Sequence, residues 1–479
     1  MNARAHPTLA PEPQARESRP LDETHPLTWQ RALLVAAGAV AAFHLAWAFA
    51  PPSALILVYL YCLCLLAALP TPRKAFCFGL AIGYAVYAPH LAFFRTIFGW
   101  PSVALWTVLA FWLGLFVALA RLCRRKFGRL SSVLVPFVWT GLEYFRSELY
   151  YLRFSWLSVG FTFSASPQVF SATHLGVYGV ALVLMALAAW LSLLTGMRAA
   201  VLTGVSLVAL SCLIDLPAGT STPPGSTQVQ VAGLQMEYPA ELEVPLALDQ
   251  LLDRYPKAEL IVLSEYTFEG PIPERVKRWC RQRRKYLIAG GKEFISSSEF
   301  YNTAFVVGPG GEIIFRQAKS VPIQFFRDGL PATQQRLWNS PWGKIGLCVC
   351  YDLSYRRITD ELIRQGAQAI IAPTMDVADW GAYQHQLHAR VGRVRAAEHG
   401  VPLFRVCSSG ISQLITRSGR VFASAPFPGE GAMIGGPIEL AGEGRLPLDH
   451  WLAPMSVGIT GVILLWLSAN TILGKVSKL

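Results

Sequence analysis

The stretch Lys344-Ile-Gly-Leu-Cys-Val-Cys-Tyr-Asp352 brings an apolar run to a thiol, an aromatic ring and an acid. A cysteine at the end of a strand, before a turn into a helix, can be exposed while its backbone is held. The next N–H, that of Tyr351, can then face the oxygen of a carbonyl under attack. The chemistry open to such a thiol is nucleophilic attack on an acyl group. The plainer reading of Cys350 is a packed structural thiol, a common use of cysteine. Glu265 ends another apolar run, Ile261-Val-Leu-Ser-Glu265-Tyr, where a carboxylate is ordinarily a cap or a surface group. Lys319 follows Gly310-Gly-Glu-Ile-Ile-Phe in Arg316-Gln-Ala-Lys319-Ser-Val-Pro, and a single lysine there is ordinarily solvated. Taken together, Glu, Lys and Cys occur in that order, two of them at strand ends.

The elements that must position them lie in residues 226–440. Short β-rich runs recur there at Thr227–Leu234, Leu260–Leu263, Tyr286–Ala289, Ile345–Cys350, Ala369–Ala372 and Leu403–Val406. Helical patterns over 243–254, 273–284, 356–365 and 383–399 lie between them. Strands alternating with helices predict an α/β domain large enough for its own core.

The rest of the chain has a different texture. Of 479 residues, 53% are hydrophobic and 15% charged, against about 25% charged in soluble proteins. A single compact soluble domain is excluded, and so is general disorder. Nine cysteines, scattered and odd in number, are no disulfide scaffold. Residues 1–28, rich in Pro, Arg and Glu, predict a disordered tail. Apolar stretches at about 32–50, 53–69, 75–93, 102–120, 174–195, 199–216 and 453–473 approach the length of a bilayer-crossing helix. A weaker one, 131–145, contains Glu143. The predicted division is a tail at 1–28, a transmembrane domain of about seven helices at 29–220, the α/β domain at 226–440, and a last helix with a short end at 450–479.

Lys and Arg crowd into one set of loops: Arg73 and Lys74, residues 121–129, Arg198, and the terminal Lys475 and Lys478. The other short loops hold only Arg95, Arg146 and Arg153. By the positive-inside rule both termini face the cytoplasm and the α/β domain faces outward. The net charge of +12 is then largely a topology signal, and no nucleic-acid partner is expected.

The 226–440 region resembles the nitrilase, or carbon–nitrogen hydrolase, superfamily. The resemblance rests on the Glu, Lys and Cys stretches, on Tyr301-Asn302-Thr303-Ala304 before the lysine, and on Arg393-Val-Arg-Ala-Ala-Glu398-His-Gly after the cysteine. It implies an α-β-β-α sandwich with Glu265 as general base, Lys319 as electrostatic stabiliser and Cys350 as nucleophile. With eight apolar segments, and with Trp139-Thr-Gly-Leu-Glu143-Tyr-Phe-Arg146, Phe154-Ser-Trp156 and Gly176-Val-Tyr-Gly179-Val, the whole chain resembles the apolipoprotein N-acyltransferase family. That resemblance implies a multi-pass protein of the bacterial inner membrane, monomeric, without metal or cofactor. It implies a phospholipid acyl donor and the amine of a diacylglyceryl-cysteine lipoprotein as acceptor. A membrane-tethered amidase, or an acyltransferase with another amine, is the alternative.

One departure stands out. The family usually has a glutamate eight residues past its lysine. Here Arg327 holds that place and Asp328 follows, so either Asp328 takes over by a local shift or the role is lost. Asp352 supplies the acid expected two residues past the cysteine. Phe325, Phe326, Trp380 and Tyr383 form a lipid-touching mouth on one reading and ordinary core on the other. His385 and His388, three apart on a helix, lack a convincing third ligand, so no metal is expected. By period two, Cys348 shares a strand face with Cys350. A Cys280–Cys407 bridge is left open, and Glu143 is expected to pair with Arg146, line a lipid-facing cavity or sit at the membrane interface.

Overall fold

The computed structural model describes residues 27–48, 52–214 and 226–476. Nearly all of the expected tail lies outside the described residues, as does the segment joining the two regions at 215–225.

Each expected apolar segment has a helical counterpart. They are Trp29–Trp47, Ile56–Leu66, Pro72–His90, Ser102–Phe127, Ser131–Tyr144, Gly176–Leu191, Gly196–Ile214 and Asp449–Val476. Four runs among the described residues are long and apolar enough to cross a membrane: Trp29–Trp47, Ser102–Leu149, Gly196–Ile214 and Asp449–Asn470. The 48-residue run is no single rod. Gly128, at φ 53°, turns it back, and its two halves pack on each other. Pro72–His90 packs tightly on Ser102–Phe127 because its contact residues are small. A Cβ on Gly83 would come within 2.5 Å of the Ala110 Cα.

Two six-stranded sheets form the α/β domain. The chain runs through β1 (Thr227–Leu234), β2 (Leu260–Val262), β3 (Tyr286–Phe294), β4 (Phe300–Val307) and β5 (Ile313–Ala318). It continues through β6 (Leu337–Ser340), β7 (Gly343–Leu347), β8 (Ala369–Thr374), β9 (Leu403–Cys407), β10 (Ser412–Ile415), β11 (Val421–Ala425) and β12 (Met433–Leu440). The first sheet has the order β12-β1-β2-β3-β4-β5 and the second β11-β10-β9-β8-β7-β6. Strand alternation divides the first sheet's side chains between two cores. Val231, Leu260, Val262, Ile288, Ala304 and Val306 join the core that includes Leu347, Ile370 and Phe404 of the second sheet. Ile261, Leu287, Ala289, Phe305 and Val307 face the helices Val244–Arg254 and Glu274–Arg283. The result is an α-β-β-α sandwich joined to a helical membrane part, the fold class expected from the sequence.

The helices Arg356–Arg364 and Ala382–His399 cover the second sheet's side and meet the membrane part. A buried polar clamp joins them. Arg356 Nη1 lies 3.1 Å from Asp449 Oδ1 and 3.4 Å from Asp360 Oδ2. Asp449 Oδ2 accepts from the Tyr178 N–H at 2.9 Å, and Glu148 Oε1 accepts from the Arg356 N–H at 2.9 Å. Removing one partner strands a buried charge. Asp449→Ala is therefore expected to destabilise the protein by about 3–5 kcal/mol. Thermal unfolding of detergent-solubilised protein checks this, and an unchanged midpoint would show that the clamp contributes nothing. Glu143 belongs to a similar buried set. Its Oε1 accepts from the Val159 N–H at 2.9 Å, with Arg146 Nη2 at 3.8 Å.

Candidate active site

Strand direction brings the candidate residues to one place. β2 runs parallel to β3, and β4 is antiparallel to both β3 and β5. So β2 and β5 point the same way and end at the same edge of the first sheet. Glu265 follows β2 by three residues and Lys319 follows β5 directly. From the facing sheet, β7 stops at Leu347 and Cys350 comes three residues later. The predicted strand through Cys350 is thus too long. Period two does not relate Cys348 to Cys350, because the strand has ended before either. Cys350 has φ 51°, a left-handed conformation rare outside glycine, and it opens a 3₁₀ turn, Cys350–Ser354. Such backbone costs about 1–3 kcal/mol and persists where its surroundings enforce it. Here it turns the thiol out of the sheet.

Lys319 Nζ is fully buried between two carboxylates, 2.8 Å from Glu265 Oε1 and 2.7 Å from Asp328 Oδ2. Asn302, on β4, donates to Glu265 Oε1 at 2.6 Å and to Asp328 Oδ1 at 2.8 Å. The Met375 N–H donates to Glu265 Oε2 at 2.8 Å, and the Cys350 thiol lies 3.5 Å from the Met375 carbonyl. Glu265 needs close approach of its backbone to β3. A Cβ on Gly290 would come within 2.6 Å of the Glu265 Cα.

The electrostatics follow from this packing. Burial pushes Glu265 above its ordinary range, Lys319 pulls it back, and Asp328 pushes it up again. Burial alone would lower Lys319, but the charges of Asp328 and Glu265 hold it well above its usual value. The lysine is therefore a fixed cation. Burial, and then the negative charge of Glu265 beside it, raises the Cys350 thiol well above its usual value. The resting thiol is protonated, and the Glu265 carboxylate that hydrogen-bonds to it is positioned to take the proton.

Asp328, not Arg327, occupies the acidic place. Its carboxylate accepts from Tyr266 Oη at 2.8 Å and from the Ile323 N–H at 2.8 Å, besides Asn302 and Lys319. The loop reaches back because Phe325, at φ 70°, makes a sharp turn. Arg327 points outward, with Nη2 donating to the Ser298 carbonyl at 2.8 Å, and takes no part in the cluster. Asp328→Ala is expected to cost about 3–5 kcal/mol of stability, as a broken buried pair. Arg327→Ala should stay within about 0.5 kcal/mol. Denaturation of both variants tests the contrast, and equal losses would contradict it.

Asp352 fastens the lysine and cysteine loops together. Its Oδ1 accepts from the Ser320 and Val321 N–H groups at 2.9 and 2.7 Å, and its Oδ2 from the Val349 N–H at 3.2 Å. Burial raises its pKa to about 6, against the pull of Lys319 and these N–H groups. Tyr301 alternates with Asn302 on β4 and makes no hydrogen bond to the cluster.

Cys350 opens into a cleft of about 820 Å³, solvent at its mouth included. Its walls come from both parts of the chain. Phe93, Phe94 and Phe98 lie on a short helix, Phe93–Phe98, between membrane segments, and Phe154 and Trp156 come from the loop that follows Leu149, two long helices later. Ile323, Phe325, Phe326 and Trp380 face them from the α/β domain. Phe98 packs at 6.1 Å from Phe325 and 5.6 Å from Phe326. Tyr383 is not in this lining. Its hydroxyl bonds to His90 Nδ1 of the membrane part. The sequence reading missed the Phe93–Phe98 wall, nearly all of which falls in the short gap between the apolar segments 75–93 and 102–120.

His385 and His388 both turn toward Asp376. His388 Nδ1 lies 2.8 Å from Asp376 Oδ1, and Arg405 bonds to the other oxygen. Burial pushes His388 down to about 4, so it is neutral. Burial would raise Asp376, but the Arg405 guanidinium and the hydrogen bonds from the two histidines outweigh it and hold Asp376 below the usual carboxylate range. Cys280 and Cys407 are free buried thiols, Cys280 on the outer helix Glu274–Arg283 and Cys407 ending β9.

Two family models match the chain in succession. The apolipoprotein N-acyltransferase N-terminal domain matches residues 41–190 and the carbon–nitrogen hydrolase domain residues 231–441. An apolipoprotein N-acyltransferase of Geobacter metallireducens is 27% identical over 433 residues, covering 78% of this chain and 82% of that one. Those of Haemophilus ducreyi (24% identical, 67% of this chain and 72% of that one) and Shewanella oneidensis (24%, 74% and 80%) are similar over comparable lengths. With both domains matched in order on a chain that carries membrane-type helices, the protein belongs to the apolipoprotein N-acyltransferase family, a membrane-associated branch of the carbon–nitrogen hydrolase superfamily.

Proposed function

We propose that the chain moves an acyl group from a phospholipid, through a thioester on Cys350, to the amine of a diacylglyceryl-cysteine lipoprotein. The observation that carries this reading is the cleft. A thiol beside a buried Glu–Lys pair opens into a wall of apolar side chains drawn partly from the membrane helices. A soluble acid amide has no use for such a wall, whereas an acyl chain does.

In the first half-reaction Glu265 takes the Cys350 proton and the thiolate attacks the ester carbonyl. Lys319 and the Tyr351 N–H hold the oxyanion. Collapse breaks the ester bond, and Glu265 returns its proton to the departing lysophospholipid oxygen. In the second, the lipoprotein amine attacks the thioester and Glu265 takes a proton from nitrogen. The thiolate leaves and recovers that proton. No cofactor or metal enters. Asp352 and Asp328 position the loops, and Phe325, Phe326 and Trp380 line the lipid mouth. The loop charges support placement in a bacterial inner membrane, termini inside and the 226–440 domain outside, with the protein acting as a monomer.

The test is acceptor use. Purified protein in detergent is given phosphatidylethanolamine and a synthetic diacylated lipopeptide. The peptide should gain one acyl mass, and an N-acetylated peptide should gain none. Release of free fatty acid with the peptide untouched would make the protein a hydrolase.

A further inference from the structure

One charged group in the cleft has no task in this mechanism. Arg153 lies in the lining, half-buried, in the loop between Leu149 and Phe154. Its guanidinium rests over the Tyr355 ring at 5.3 Å. Among the described residues no ion pair reaches it, and its Nε is buried without a hydrogen-bond partner. Its main chain is well anchored. The Arg153 carbonyl accepts from Tyr351 Oη at 3.4 Å, and Tyr351 packs edge-on against Tyr355 at 5.0 Å. Gln324 Nε2 donates to the Tyr151 carbonyl at 3.0 Å, which ties this loop to the loop carrying Phe325.

The other charge in the lining, Asp376, is already matched by Arg405 and His388. What surrounds Arg153 is largely aromatic and aliphatic. A partly desolvated cation without a counter-ion is unfavourable until a ligand brings an anion. The guanidinium fork suits phosphate oxygens, which it can hold through two hydrogen bonds.

We propose that Arg153 receives the phosphodiester of the acyl donor, with the donor's chains along the aromatic wall and its ester carbonyl turned to Cys350. This rests on the phospholipid reading above and adds to it a residue that selects the donor. The acceptor's diacylglyceryl group carries no phosphate. Arg153 therefore acts in the first half-reaction and not in the second.

Acylation of full-length protein in detergent tests this with two donors. One is dioleoylphosphatidylglycerol in mixed micelles, followed by intact mass. The other is p-nitrophenyl butyrate, an uncharged ester followed by nitrophenolate release. Arg153→Gln should lower kcat/KM for the phospholipid by about tenfold or more, the least expected for a lost charge-assisted contact. It should leave the nitrophenyl ester unchanged, and Arg153→Lys should fall between. Equal losses with both donors would make Arg153 a support for Tyr351 and overturn the proposal. Undiminished use of phospholipid would overturn it too. If wild type accepts neither donor, the Cys350 reading itself fails and this inference falls with it.

Discussion

Cys350→Ala is expected to lose acyl transfer by a factor on the order of 10⁴ or more, because no other group can carry the acyl chain between donor and acceptor. The fold should survive. The thiol's polar contacts are the Met375 carbonyl at 3.5 Å and the Glu265 carboxylate, and alanine removes them without adding bulk. Alanine also tolerates the left-handed backbone no worse than cysteine. Transfer to a diacylated lipopeptide, measured beside thermal unfolding, separates lost chemistry from lost structure. A variant that unfolds normally and still transfers would remove Cys350 from the mechanism.

Glu265→Gln is expected to lower the rate by about 10²–10⁴, the usual share of a general base. Glutamine keeps the shape, but its single amide oxygen can accept from Asn302 or from the Met375 N–H and not from both, and it cannot take the thiol proton. The pH profile gives a sharper test. Catalysis needs Glu265 ionised, and burial raises its pKa, with Asp328 adding to the rise against the pull of Lys319. Wild-type activity should therefore fall with acidification at a pH above the ordinary carboxylate range. In Glu265→Gln the limb due to this group should vanish. An unchanged acidic limb would assign the proton transfer to another residue.

Much of this was legible in the sequence because the elements obey simple periodicities. β1 at Thr227–Leu234 alternates polar and apolar over Gln228–Val231 before ending in a buried run, and the helices before and after the domain are continuous apolar runs. What was hidden depends on single backbone angles and on distant packing. The sequence predicts a strand running through Cys350, but a left-handed residue cannot continue a strand, and no propensity marks Cys350 as one. The choice between Arg327 and Asp328 is likewise set by the turn at Phe325, which aims one side chain at Lys319 and its neighbour at solvent. Tyr383 looked like a mouth residue because it is aromatic and near Trp380. Its helix turns it toward His90 instead. The Phe93–Phe98 wall lies in a short connection between two apolar segments, too brief to show a helical period of its own.

The most direct test of the central claim is the intact mass of the protein after phospholipid alone, with no acceptor present. The account predicts one added acyl group, carried by the peptide that contains Cys350, released by neutral hydroxylamine and absent from Cys350→Ala. Efficient acylation of the lipopeptide with no acyl group ever found on Cys350 would contradict it, because transfer would then pass directly from donor to amine.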